Sequence, residues 1–80
     1  MNIEAMQGKA AELNQLAAQA EGLEKRYAAH LMLHDAACMA GNDAEATQRR
    51  SECHDLLDAV LDNSHSVHRV SRELRSIAQG

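Results

Sequence analysis

Apolar residues in the second half of the chain follow a strict seven-residue repeat. Two interleaved series, each advancing in steps of seven, make up this repeat: Cys53, Val60, Val67 and Leu74, and Leu56, Asn63, Val70 and Ile77. Such a repeat is typical of a helix that packs along its length on another helix, with a gentle left-handed supercoil. We therefore expect one long helix in this half.

The first half carries a looser pattern of the same kind. Pro, Trp and Phe are absent from the whole chain, and alanine is concentrated before Gly41, a composition that favours helix. Steps of three and four place the apolar residues of this half on one helical face. They are Met6, Ala10, Leu13, Leu16, Ala17, Ala20, Leu23, Tyr27, Leu31, Ala37 and Cys38.

A stop and a restart signal separate the two halves. Gly41 suits the left-handed conformation that ends a helix, and Asn42 and Asp43 are good N-cap residues. Glu45 follows Asn42 by three, as in a capping box. The sequence predicts one all-α domain over residues 1–80, with a helix over about 3–40, a turn at 41–43 and a helix over about 44–78. Because so short a turn forces the helices side by side, the fold is an antiparallel hairpin. A kink in one long helix is the alternative.

The turn fixes which residues face each other across the hairpin. In straight helices the numbers of paired residues sum to about 84, so Leu31 meets Cys53, Leu16 meets Val67 and Ala10 meets Leu74. Asn63 then lies at a core position, where a polar residue often fixes register or oligomeric state.

One stripe per helix is too little burial for a stable hairpin of this size. Between residues 28 and 40 the first helix is apolar on nearly every side, and a helix of that kind needs neighbours on every side. We expect the hairpin to dimerise into a four-helix bundle through its turn-proximal half. The residues predicted to contact a second copy or a partner protein are Leu31, Met32, Leu33, Met39, Leu57 and Leu61.

Charge and composition narrow the classes of partner. The formal net charge of -4 argues against a protein that coats nucleic acid, and the single aromatic residue leaves few stacking platforms for bases. No window is apolar for the length of a membrane span, and no export signal is evident, so we expect a cytoplasmic protein with reduced thiols.

Three histidines form the first candidate for chemistry. His30 and His34 are one turn apart, and the expected register brings His54 opposite His30. Two histidines plus a donor from a facing helix could hold zinc. The alternative is that these histidines only hydrogen-bond beside the helix interface. A nucleophilic role for Cys38 is less favoured, because no third group that would orient His34 is evident.

The basic end of the second helix is the second candidate. His68, Arg72 and Arg75 share a stripe that could hold a phosphate-bearing ligand. The alternative, which we favour, is a solvated face on which Arg72 pairs with Glu12 across the hairpin.

None of the common catalytic or nucleotide-binding motifs is present, and two alanine-rich helices offer no ordinary active-site pocket. We therefore expect a non-enzymatic, dimeric interaction module without a cofactor. It would regulate or inhibit a partner protein, as small accessory proteins of phages or plasmids do. A helical bundle that binds a metal or a small phosphate ligand is the alternative, and an RNA-binding four-helix bundle is a weaker one.

Overall fold

Two helices of equal length make up the fold. The computed structural model describes residues 2–80, in which α1 spans Ile3–Met39 and α2 spans Asp43–Gln79. They lie side by side as an extended hairpin measuring 60 × 15 × 11 Å. The radius of gyration is 18.0 Å, whereas a compact domain of this length would have about 12 Å. The predicted all-helical hairpin is confirmed, and each helix boundary lies within about one residue of its predicted position.

The turn is closed by backbone hydrogen bonds around Gly41. Gly41 has a φ of 71°, the left-handed conformation that costs glycine little. Its N–H donates to the carbonyl of Cys38 at 3.1 Å, and the N–H of Asn42 donates to the carbonyl of Ala37 at 2.9 Å. These two bonds form a Schellman motif, which satisfies carbonyls that the end of α1 would leave unpaired.

Asparagine caps the start of both helices. The side chain of Asn2 accepts from the N–H of Ala5, and that of Asn42 accepts from the N–H of Glu45 at 3.1 Å. The reciprocal half of the capping box expected at Asn42 is not formed. The N–H of Asn42 is already used in the Schellman motif, and the carboxylate of Glu45 pairs instead with Arg49.

The contact seam of α1, meaning the residues of α1 that pack on α2, differs from the predicted one at several positions. Ala10, Leu31 and Cys38 are exposed, whereas Lys9 and His34 are at least partly covered. The covered residues repeat every seven positions, as in α2, and this repeat places polar groups in the seam. The covered series are Met6, Leu13, Ala20, Tyr27 and His34, and Lys9, Leu16, Leu23, His30 and Ala37.

The core of the hairpin is small. Among the described residues, the buried apolar side chains are Ala37, Ala46, Cys53, Leu56 and Val70, and only Val70 is fully buried. Near the middle, the side-chain amide of Asn63 donates to the backbone carbonyl of Leu16 at 3.0 Å. This bond links the two helices directly, at the level where Asn63 replaces an apolar residue of the repeat.

Neither helix includes, over residues 2–80, a segment that is both long and apolar enough to cross a bilayer.

Candidate interaction surface

All six residues predicted to contact another molecule are exposed. Leu31, Leu33 and Leu57 are 42–45% exposed, while Leu61, Met32 and Met39 reach 57%, 72% and 90%. A monomer can leave single apolar residues in water without consequence, but grouped ones indicate an interface. Their positions around the hairpin therefore decide what they could contact.

Leu31 and Leu57 line one groove along the hairpin, together with Tyr27 and Cys53. Leu61 follows Leu57 by four and so continues the same helical face. Steps of seven toward the open end of the hairpin lead from Leu31 to Glu24, Ala17 and Ala10, from Leu57 to Ser64 and Ser71, and from Leu61 to His68 and Arg75. We call this the leucine side, formed by Leu31, Leu57 and Leu61 and continued by Ala10, Ala17, Ser64 and Ser71.

The opposite side of the seam is closed by ion pairs. Nζ of Lys9 pairs with Glu73 across the hairpin, and Nδ1 of His30 lies 2.7 Å from a carboxylate oxygen of Glu52. Arg49 joins this second pair, with its Nη1 at 3.6 Å from the same oxygen of Glu52. The residues of this ion-paired side take no part in the groove of Leu31 and Leu57. The hairpin thus has one flank closed by ion pairs between the helices and one flank that carries Leu31, Leu57 and Leu61.

The two exposed methionines lie on neither of these flanks. Met32 and Met39 are seven residues apart, so they share one face of α1, and their exposure places that face outward, away from α2. Leu33 neighbours them toward the ion-paired side. The six predicted residues therefore do not form a single patch.

The structure does not bring the three predicted zinc ligands together. His30 lines a groove with Glu52 and Asp55, whereas His34 and His54 line the groove of the leucine side. No group of three or more His, Cys, Asp or Glu side chains in residues 2–80 is arranged to hold a metal ion. Zinc binding stays an untested prediction from the sequence.

His34 has the orienting group that the sequence did not reveal. Its Nδ1 lies 3.2 Å from Oδ1 of Asp35, while its Nε2 lies 3.3 Å from the guanidinium of Arg50 and 3.6 Å from Sγ of Cys38. Because an arginine can only donate, Nε2 accepts from Arg50 and the Nδ1–H donates to Asp35. Cys38 is an exposed free thiol and Cys53 a buried one. The expectation that both thiols lie in the seam is wrong for Cys38.

The predicted pairing of Arg72 with Glu12 does not occur. Glu12 pairs with Lys9, and Glu73 pairs with both Lys9 and Arg69. His68, Arg72 and Arg75 are exposed, and no ion pair or hydrogen bond involves them in the described part of the chain. The guanidinium groups of Arg72 and Arg75 are therefore available to an outside group.

Lys9 and Glu73 shift each other's ionisation. The hydrogen bond from Lys9, with a smaller contribution from Arg69, lowers the pKa of Glu73 below its ordinary value of 4.5. The same hydrogen bond to Glu73 is the main cause that raises the pKa of Lys9 above 10.5, although desolvation opposes it. Both shifts favour the charged pair in the folded protein.

One groove was missed by the sequence analysis. It runs along the middle of the ion-paired side and is lined by Leu16, Gly22, Leu23, Arg26 and Asn63, among others. The absence of a side chain at Gly22 and the small residues Ala59 and Ser66 opposite leave this space open. Small residues at matching levels of two facing helices are the signal that could have found it.

Comparison with family models, curated proteins and solved structures gave no match for this chain.

Proposed function

We propose that the protein is a non-enzymatic interaction module that dimerises into a four-helix bundle and binds a partner protein as a regulator or inhibitor. The observation that carries this proposal is the set of large apolar side chains left exposed around the turn-proximal half of a hairpin with a very small core.

The surface area of the hairpin supports self-association. The chain exposes 5749 Å², whereas a compact monomer of its mass would expose about 4,700 Å². The difference, about 1,000 Å², is slightly more than each partner buries in an interface of standard size, about 800 Å². Pairing two hairpins along their leucine sides would remove this excess and bury Leu31, Leu57 and Leu61.

The methionine face is the part of the hairpin that a bundle would leave outside. Met32 and Met39 point away from α2, so packing a second copy on the leucine side does not cover them. Methionine is flexible and polarisable, and it suits a surface that adapts to a partner. We assign this face to the partner protein, which would present a complementary apolar segment.

A paired substitution tests this assignment. We expect Met32→Glu/Met39→Glu to abolish capture of a host protein from lysate while leaving helical content and dimer mass unchanged. Ala11→Glu/Ala18→Glu is a matched control, because these exposed residues occupy the same face of α1 at the same seven-residue spacing. Capture that survives the methionine substitutions, or that the control also loses, would exclude this face as the binding surface.

A phosphate-bearing ligand at His68, Arg72 and Arg75 is the second candidate. The observation that favours it is that the described acidic residues neutralise neither guanidinium. Native mass spectrometry tests it, because a retained phosphate ligand lost on Arg72→Ala/Arg75→Ala would support this site. An oligomer without ligand would exclude it.

A further inference from the structure

We infer that the groove on the ion-paired side is a docking site for one amphipathic helix of a partner protein, and that this helix carries two basic residues seven positions apart. The groove belongs neither to the leucine side nor to the methionine face. The inference therefore goes beyond the proposed function and does not depend on dimerisation.

The groove is longer than the part described above. Leu23, Arg26 and Ala59 line both that part and a second part nearer the turn, so the two parts form one continuous channel. On α1 the channel extends from Leu16 to His30, which is about 21 Å of helix. A partner helix of about 14 residues, or four turns, is long enough to fill it.

The floor of the groove is apolar, and one rim is low. Leu23 from α1 and Leu56 and Ala59 from α2 form the floor, and all three are buried or partly covered. Gly22 lies exposed on the rim of α1, and nothing lies within 4 Å of the position where a Cβ would be. Because the distance between packed helices depends on the side chains at the contact, a helix can approach α1 closely here. An open apolar channel of this kind suits a helix that lays its apolar face into it.

The charged and titratable residues of the groove are divided between the two helices. Arg26 and His30 come from α1, whereas Glu52, Asp55 and Asp62 come from α2. His30 and Glu52 pair with each other. Within residues 2–80, no ion pair involves Arg26, Asp55 or Asp62. The rim of α2 therefore presents two unpaired carboxylates.

These two carboxylates decide the chemistry of the occupant. Asp55 and Asp62 are exposed and seven residues apart, so they share one face of α2 and are separated by about 10 Å along it. Lysine or arginine residues seven apart on a helix aligned with α2 match both carboxylates. Arg26 on the opposite rim fits an acidic residue on the other flank of the same helix. Complementary charge of this kind favours encounter and fixes the orientation of a partner.

Selection from a peptide library tests the chemistry of the occupant. The probes are phage-displayed helical peptides of about 18 residues, slightly longer than the groove, with a fixed stripe of alanine and leucine and randomised flanking positions. Selection on the native chain should enrich peptides with lysine or arginine at a spacing of seven. Enrichment of peptides without this pair, or no enrichment at all, would overturn the inference.

Gly22→Leu tests whether the selected peptide lies in the groove. Leucine narrows the channel, and the chain should remain folded because leucine favours helix more than glycine does. Fluorescence anisotropy with the selected peptide should show about a tenfold loss of affinity. Gly8→Leu is a matched control, since Gly8 is also exposed on α1 with open space at its Cβ position but does not line this groove.

Other outcomes of this comparison identify other surfaces. Equal losses for Gly8→Leu and Gly22→Leu would overturn the inference. A peptide that binds Gly22→Leu unchanged but is lost on Met32→Glu/Met39→Glu would lie on the methionine face. That result would also overturn the inference, while leaving the proposed function in place.

Neutralising one carboxylate tests the contribution of charge. We expect Asp62→Asn to weaken binding of the selected peptide about threefold to fivefold at low salt, and less at high salt. Asp58→Asn makes the same change at an exposed residue of α2 outside the groove and should leave the affinity nearly unchanged. Equal effects of the two substitutions would contradict recognition by the groove.

Sedimentation equilibrium of Gly22→Leu distinguishes a partner helix from a second copy in the groove. Because the leucine side lies on the opposite flank, the mass of this variant should equal that of the native chain at the same concentration. A smaller mass would show that a second copy occupies the groove and would overturn the inference.

Discussion

At the scale of single residues, Gly41 determines whether the chain can reverse. Its φ of 71° is reached at little cost only without a Cβ, although open space surrounds the position where a Cβ would lie. We therefore expect Gly41→Ala to lower the free energy of unfolding by about 1 to 2 kcal/mol, from backbone strain alone. Urea denaturation followed by circular dichroism measures this. Unchanged stability would show that the turn does not need the left-handed conformation.

Asn63 is the residue most directly tied to helix register. Its amide bonds the carbonyl of Leu16 from a partly covered position. Replacing it with leucine adds apolar contact, so we expect Asn63→Leu to raise the free energy of unfolding by about 1 kcal/mol. The same substitution removes a polar link that fixes register, so sedimentation velocity should detect more than one species. A loss of stability with a single species would show that the hydrogen bond outweighs the added burial.

At the scale of the helices, the local signals in the sequence were sufficient for the fold. Gly41 and Asn42 specify the stop and the cap through their own backbone and side-chain chemistry, and the repeat in α2 identified Cys53, Leu56 and Val70 as buried. The seam of α1 was harder to locate, because alanine occurs on every face of that helix and gives little contrast. The polar residues Lys9 and His30 in the seam depend on acidic partners from α2, which periodicity does not reveal.

The candidate site could be predicted only in part. The sequence shows more large apolar residues near the turn than a contact between two helices can bury, and these residues are exposed. Which of them lie on the leucine side and which on the methionine face depends on which residues of α1 contact α2. The sequence does not show this clearly, because alanine occurs on every face of α1. The ion pairs of the opposite side depend on side-chain conformations that a sequence pattern does not specify.

The ion pair between α1 and α2 predicts a dependence of stability on pH. Because folding lowers the pKa of Glu73 below 4.5, its contribution is present at neutral pH and is lost as the pH falls through the lowered value. We expect Glu73→Gln to be less stable than the native chain at neutral pH, and the difference to shrink as the solution is acidified through the lowered pKa of Glu73.

Urea denaturation at neutral and at acidic pH measures this difference. Asp58→Asn is a suitable control, because Asp58 is exposed and no ion pair involves it in the described chain. A difference between Glu73→Gln and the native chain that stays constant on acidification would show that the ionised pair with Lys9 does not stabilise the hairpin.

At the scale of the whole molecule, a hairpin of two helices is too thin to bury all of its own apolar residues. An extended rod of 60 Å with an ion-paired flank and a flank of exposed leucines has one side suited to a second copy. The methionine face remains accessible in such a bundle, so dimerisation and partner binding do not compete for the same surface.

Sedimentation equilibrium at micromolar concentration tests this central claim most directly. We predict a mass twice the 8.7 kDa of one chain. Leu31→Glu/Leu57→Glu should return the mass to that of one chain, and Ala11→Glu/Ala18→Glu should leave the dimer intact. A native chain that sediments at 8.7 kDa across the whole concentration range would contradict the account.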